Sequence, residues 1–335
     1  MSTNISTPFY NDWKEQLRNA LKTKSDLEVF FGHQFPDHQG FFPLLPRALA
    51  AKIKKAGSSS ALWKQFLPDI KESNVELQKS GHQDPIGDMA KLIAPQIIHR
   101  YKNRALFLPT SICPVHCRYC FRRNELQSDH DLFSGQFDLS LQYFKEHTEI
   151  EEIIFSGGDP LMLSNQKLDF YLTQFSAISH LHYIRLHTRM ITTIAARIDP
   201  QLIELLVKTK KNLHQLNLVI HINHTDEIDP EVEHAIELLV QAGIPVLSQT
   251  VLLKGINDNQ AQLILLFKTL AKLNVRPYYL HHPDQVQGGM HFYVERHTAS
   301  DLYRSLRQYL PGWALPHYIL DSPAGTGKEI AILTP

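Results

Sequence analysis

Cys113, Cys117 and Cys120 are the three cysteines of a 335-residue chain, and all fall within the eight positions of CPVHCRYC. Three thiols cannot all pair as disulfides, and their crowding on one short segment points to thiolates that share a ligand. A C-x3-C-x2-C spacing suits an iron–sulfur cluster, which is held by cysteine thiolates and can leave one iron open to another ligand. A zinc site takes four protein ligands, or three with water. The alternatives are therefore a Cys/His zinc site that recruits His116, or a buried cysteine group with no ligand. Tyr119 and Phe121 flank the last cysteine with aromatic rings.

Two other segments carry residues suited to chemistry. Ser156-Gly157-Gly158-Asp159-Pro160 follows an apolar run, and glycines there let the backbone approach a neighbour or ligand closely. In YILDSPAGTGKEIAILTP, Lys328 stands just after a glycine-containing loop that can present its amine to a bound aldehyde. The AGTGKE stretch resembles a phosphate-binding loop only superficially. Its first glycine is misplaced, and Glu329 stands where Ser or Thr would hold magnesium.

The elements that must position these residues divide near residue 105. Before it, DWKEQLRNALKT, SDLEVFF, LPRALAAKIKKA and SALWKQFLPDIKE have helical apolar spacing, so residues 1–104 are expected to form a helical N-terminal region. The Gly-Ser-Ser-Ser at 57–60 reads as a loop. After it, six short apolar runs (RALFLPT, EEIIFSGG, HYIRLHT, LNLVIHI, PVLSQTVLL and VRPYYLHH) alternate with amphipathic stretches such as PEVEHAIELLVQAG. Strand–helix alternation predicts parallel βαβ units, hence an α/β fold with a partial or complete barrel over 105–310 and a C-terminal segment, 311–335, that carries Lys328. The cysteines then lie on the loop after the first strand, at the functional rim.

Composition narrows the class. With 34 basic and 34 acidic residues, the chain offers no broad footprint for nucleic acid. No run approaches the roughly 20 apolar residues of a membrane span. The polar start MSTNISTPFYNDWKEQ lacks a secretory pattern, so a cytoplasmic location, where thiols stay reduced, is expected.

The cysteine motif with its aromatic resembles that of the radical SAM superfamily, and the likeness covers most of the chain. It implies a partial (βα)6-type barrel and a 4Fe–4S cluster on Cys113, Cys117 and Cys120. S-adenosylmethionine would chelate the fourth iron, with Ser156, Gly157, Gly158 and Asp159 around its methionyl amine and Gln249 near its adenosine or ribose. Within that superfamily the tail and the HRYKNR segment are similar to lysine 2,3-aminomutases. That resemblance implies pyridoxal phosphate bound covalently at Lys328, with Arg100, Tyr101 and Arg104 holding its ring or phosphate. It also implies that Arg122 binds the α-carboxylate of the substrate, and that Asp284 and Asp321 grip a distal ammonium. Two converging carboxylates repel each other and a cation relieves the penalty, so L-lysine fits where glutamate does not.

The reaction implied is a radical 1,2-amino shift to β-lysine. Arg189, His221, Asn223 and His224 stand near strand ends, with cofactor-contacting and structural roles equally open. WKEQL, FPLLPRAL and DPIGD resemble the branch of the family that makes (R)-β-lysine for bacterial elongation factor P. A free-lysine enzyme of catabolism or osmolyte synthesis would use the same residues, and an iron–sulfur electron-transfer or binding protein is the non-enzyme alternative. The family's longer members bind zinc between subunits through a cysteine-bearing tail. With no spare cysteine here, zinc is not expected. Expected partners are an electron donor such as flavodoxin and, indirectly, the elongation factor P pathway, with a homo-oligomer possible.

Overall fold

The computed structural model describes residues 12–37, 40–94, 96–127, 133, 135–322 and 327–333. The start of the chain and residues 323–326 of the glycine-containing loop lie outside these. The described part begins with α1 (Trp13–Arg18), α2 (Lys24–Phe31), α3 (Arg47–Ala56), α4 (Ala61–Phe66) and α5 (Val75–Gln78). Their ends are set locally. Thr23 and Asp26 form a capping box on α2, and Gly57, at φ 87°, follows α3. Ser60 caps α4 by accepting from the Trp63 amide, which makes 57–60 the expected connection. Leu27, Leu45, Leu49, Ile53, Leu62 and Phe66 pack together around Val115, a residue of the cysteine loop. The helical region is thus built onto the segment that holds the thiols.

One part of the expected helical region is not helical. β1 (Leu92–Ala94) and β2 (Ile97–Tyr101) pair antiparallel, and β2 pairs antiparallel with β3 (Arg104–Phe107). The reversal turns at Gln96, which has φ 69°. From β3 the sheet grows in parallel through β4 (Glu152–Phe155), β5 (Tyr183–Thr188), β6 (Gln215–His221), β7 (Val246–Val251), β8 (Val275–His281) and β9 (His317–Asp321). β10 (Lys328–Ile330) returns antiparallel to β9. Sheet order follows the chain from β1 to β10, which leaves those two as edges of an open barrel. The segment after residue 310 therefore extends the sheet, and Tyr318 and Ala331 join the main core.

The six strands β3 to β8 are the six apolar runs read from the sequence, each followed by a helix on the outer face. These helices are α6 (Phe137–Glu146), α7 (Asn165–Ser176), α8 (Met190–Thr193) with α9 (Pro200–Lys210), α10 (Pro230–Gln241), α11 (Gln260–Lys272) and α12 (Arg296–Leu306). Asp199-Pro200 and Asp229-Pro230 each place a capping carboxylate before a proline at the first helical position, where its missing N–H costs nothing. Leu263, Leu266, Phe267 and Leu270 form the buried stripe of α11, at the spacing of one helical face. Strand alternation does the rest. On β7, Val246, Ser248 and Thr250 are buried, while Gln249 and Val251 line a central cavity. No helix among the described residues is long and apolar enough to cross a membrane.

Candidate active site

The cavity opens at the carboxyl ends of the parallel strands, where α/β barrels carry their chemistry. Alternate residues of successive strands line it: Leu106 of β3, Ile154 and Ser156 at the end of β4, Arg185 and His187 of β5, His221 of β6, Tyr279 and His281 of β8, and Asp321 of β9. All three cysteines, Arg122, Asp284 and Lys328 share the same lining.

The cysteine loop is clamped from behind. Arg118, fully buried between Cys117 and Tyr119, donates to Glu72 through Nε (2.8 Å) and Nη2, and to the Phe41 carbonyl at 3.0 Å. Arg123 reaches the same Glu72 carboxylate at 2.8 Å and the Gly288 carbonyl at 2.8 Å. Burial alone would raise the pKa of Glu72, yet the two guanidinium groups hold it below the usual carboxylate range. From the front, the glycine pair packs directly on the loop. Gly158 N donates to Thr110 O and Asp159 N to Ile112 O, both at 2.8 Å. A Cβ on Gly158 would stand 2.4 Å from Ile112 O, and Gly157 has φ +107° with Thr110 O 2.7 Å from such an atom. Glycine is required here because two loops meet backbone to backbone.

Burial raises the pKa of Cys113 and Cys117, and it pushes Cys120 up to about 12 with help from the neighbouring Cys117. Among the described residues no three His, Cys, Asp or Glu side chains converge as a single-ion site requires. His116 has its Nδ1 on the Phe42 carbonyl at 2.8 Å and its ring stacked on Phe41. A four-iron cluster takes one thiolate on each of three irons and needs no such convergence, so the cavity-lining thiols fit it.

Asp159 is more fully used than its motif suggests. Its carboxylate accepts from Thr188 Oγ1 and from the amides of Leu161, Arg189 and Met190 at 2.6–3.1 Å, tying the glycine loop to the end of β5.

Across the cavity stands Lys328. Its Nζ donates to Asp321 Oδ2 at 2.5 Å and lies 5.8 Å from the centre of the Tyr279 ring. Its backbone N–H donates to Tyr101 Oη at 2.5 Å. Gly327, at φ +145°, lies so close that a Cβ would stand 2.3 Å from the Tyr101 ring. The Arg104 guanidinium stacks on the same ring at 3.6 Å and has no carboxylate partner among the described residues, which fits it to a phosphate. Arg100 differs, since Asp88 pairs with it at 2.9 Å and Asp321 approaches at 3.7 Å. The two aspartates diverge. Burial, then the negative charge of Asp321, pushes the pKa of Asp284 up to about 7. For Asp321 burial pulls upward, but Lys328, His281 and Arg100 together hold its pKa below the usual value.

Arg122 is buried, paired with Asp88 through Nη2, while its Nε and Nη1 have no hydrogen-bond partner. Asp88 thus bridges Arg100 and Arg122, a role the sequence reading missed. Its residue type alone gives no signal, and Asp84 fixes the turn of the DPIGD segment by accepting from the amides of Asp88 and Met89. Glu72 was missed as well.

The residues left open now divide. Asn223 is fully buried; it donates to Gln65 and accepts from the Val251 amide, and Glu227 accepts from the amides of Asn223 and His224, so both residues brace the loop after β6. His221 and Tyr119 join through Nε2 and Oη at 3.0 Å on the cavity wall. Arg189 pairs with Glu227 at 2.9 Å, and the positive charge of Arg189 favours the thiolate of Cys117.

Residues 107–267 match the radical SAM superfamily. The chain is 35% identical over 331 residues to the L-lysine 2,3-aminomutase of Buchnera aphidicola, covering 95% of this chain and 94% of that protein. It is 33% identical to the enzyme of that name from Escherichia coli, covering 93% and 92%. Against the L-lysine 2,3-aminomutase of Clostridium subterminale the identity is 30%, over 97% of this chain and 78% of that one. The chain belongs to the L-lysine 2,3-aminomutase family of the radical SAM superfamily.

Proposed function

We propose that the protein converts L-lysine to (R)-β-lysine, which is then attached to bacterial elongation factor P. The observation that carries the lysine reading is the Lys328 ammonium bound by Asp321 in a cavity that also contains Asp284 and the partly unpartnered Arg122. The Lys328–Asp321 contact supports Asp321 as a carboxylate that takes an ammonium. With Lys328 holding pyridoxal phosphate, Asp321 would lose this cation, and a substrate ammonium between Asp321 and Asp284 would supply one. Arg122 then offers Nε and Nη1 to the α-carboxylate, with Asp88 holding the guanidinium in place.

The bound cofactors supply a hydrogen-abstracting radical and an electron-delocalising ring, the part of the chemistry that side chains cannot provide. Cys113, Cys117 and Cys120 would hold the 4Fe–4S cluster. Ser156, Gly157 and Gly158, with Gln249 on the neighbouring wall, would take S-adenosylmethionine, while Asp159 fixes their loop. Lys328 would take pyridoxal phosphate, with Arg104 toward the phosphate and Tyr101 beneath the attachment point. The chain's own work is to orient lysine between these groups and to exclude water. The segments WKEQL, FPLLPRAL and DPIGD support the elongation factor branch. A cytoplasmic setting, an external electron donor such as flavodoxin and a homo-oligomer complete the reading.

The test replaces Asp284 or Asp321 with Asn in reconstituted enzyme. Loss of one charge-assisted hydrogen bond, about 1.5–3 kcal/mol, lowers kcat/KM for L-lysine roughly ten- to hundredfold while iron content stays at the wild-type level. Normal turnover of L-lysine by both variants would refute the ammonium site.

A further inference from the structure

Strand β5 directs Arg185 and His187 to the cavity at alternate positions, and Arg189, just past its end, lines the same cavity. Both arginines are committed. Arg185 makes a paired contact with Glu152 at 2.6 and 3.0 Å, and Arg189 is held by Glu227. His187 between them is not, since its Nε2 is shielded from solvent and has no hydrogen-bond partner. Its pairing neighbour on β6 is Val219, which offers no side-chain polar atom. A buried ring nitrogen left so forfeits a hydrogen bond, unless a ligand provides one.

We propose that His187 contacts the pyridoxal group carried by Lys328, its Nε2 forming a hydrogen bond with a polar atom of the ring. The inference rests on Lys328 as the attachment point. His187 and Lys328 line the same cavity, and after burial and Arg185 the charge of Lys328 is the next to act on the imidazole. On the cluster side it is Arg189, just past the end of β5, whose charge is felt by Cys117. Burial and these positive neighbours hold the pKa of His187 well below its usual value, so the imidazole is neutral. A neutral ring suits a polar atom of the pyridoxal ring, whereas the phosphate is better served by the guanidinium of Arg104.

The experiment compares the reconstituted wild-type chain with His187→Leu, which removes the nitrogen, and His187→Gln, which restores a polar atom at similar reach. Its readouts are the dissociation constant of pyridoxal phosphate and the position of the visible absorption band of the bound cofactor. Borohydride reduction and peptide mapping locate the label. The Leu variant should bind pyridoxal phosphate about three- to tenfold more weakly, the loss of one hydrogen bond, with a displaced band. The Gln variant should recover most of both, and iron content should not change. Wild-type affinity and an unmoved band in the Leu variant, with Lys328 labelled in both proteins, would overturn the inference alone. A wild-type chain that takes no label at Lys328 would overturn the underlying reading and the inference together. If the Leu variant does not fold, His187→Asn, polar but too short, takes its place with the same expected loss.

Discussion

Asp284 holds its proton near neutrality because burial, then the charge of Asp321, opposes ionisation and lifts its pKa to about 7. A carboxyl raised in this way contributes stability that is fully present below its ordinary unfolded value and is lost as pH rises through about 7. Asp284→Asn should therefore leave stability unchanged near pH 4 and raise it at pH 8 by up to about 4 kcal/mol, the ceiling for a shift of this size. Thermal unfolding of the ligand-free variant at both pH values checks this. Asp321 has the opposite sign: its pKa is depressed, so its contribution is present above the ordinary carboxyl value and lost as pH falls. The resemblance named both aspartates as a pair. Their unequal charge states were not legible in the sequence, because these depend on Lys328 lying against Asp321 rather than between the two.

At the scale of elements, the cysteine loop is positioned by Glu72, which pairs with Arg118 and Arg123 from the short helical region before it. Glu72→Gln leaves the buried Arg118 guanidinium without its counter-charge, a loss of about 3–5 kcal/mol. Lower iron per chain after reconstitution and a lower melting temperature are expected, with Lys328 still labelled by pyridoxal phosphate. The six βα units were legible because apolar runs alternate with amphipathic ones. The β1–β2 ribbon was not, since its strands are three and five residues long and its turn depends on Gln96 adopting φ 69°. The glycine pair was expected at a ligand and also serves a loop-to-loop contact, which no local pattern distinguishes.

At the scale of the molecule, the cysteines follow β3 near the leading flank of an open sheet and Lys328 opens β10 at the trailing edge. Side chains bring the flanks together where strand pairing does not: Arg100 of β2 approaches Asp321 of β9 at 3.7 Å, and Tyr101 accepts from the Lys328 amide. Partners separated by 227 positions leave no trace in local sequence. Tyr101→Phe should cost about 1 kcal/mol and speed hydrogen exchange in residues 327–333, with exchange in the β4–β8 strands unchanged.

The most direct measurement of the whole account is anaerobic reconstitution with iron, sulfide, pyridoxal phosphate, S-adenosylmethionine and dithionite as electron donor, followed by chiral chromatography of the products from L-lysine, L-glutamate and elongation factor P. Conversion of free L-lysine to (R)-β-lysine, with no product from glutamate and no rearrangement of protein-bound lysine, is the expected result. Rearrangement of glutamate, or cluster reduction with no amino shift in any substrate, would contradict it.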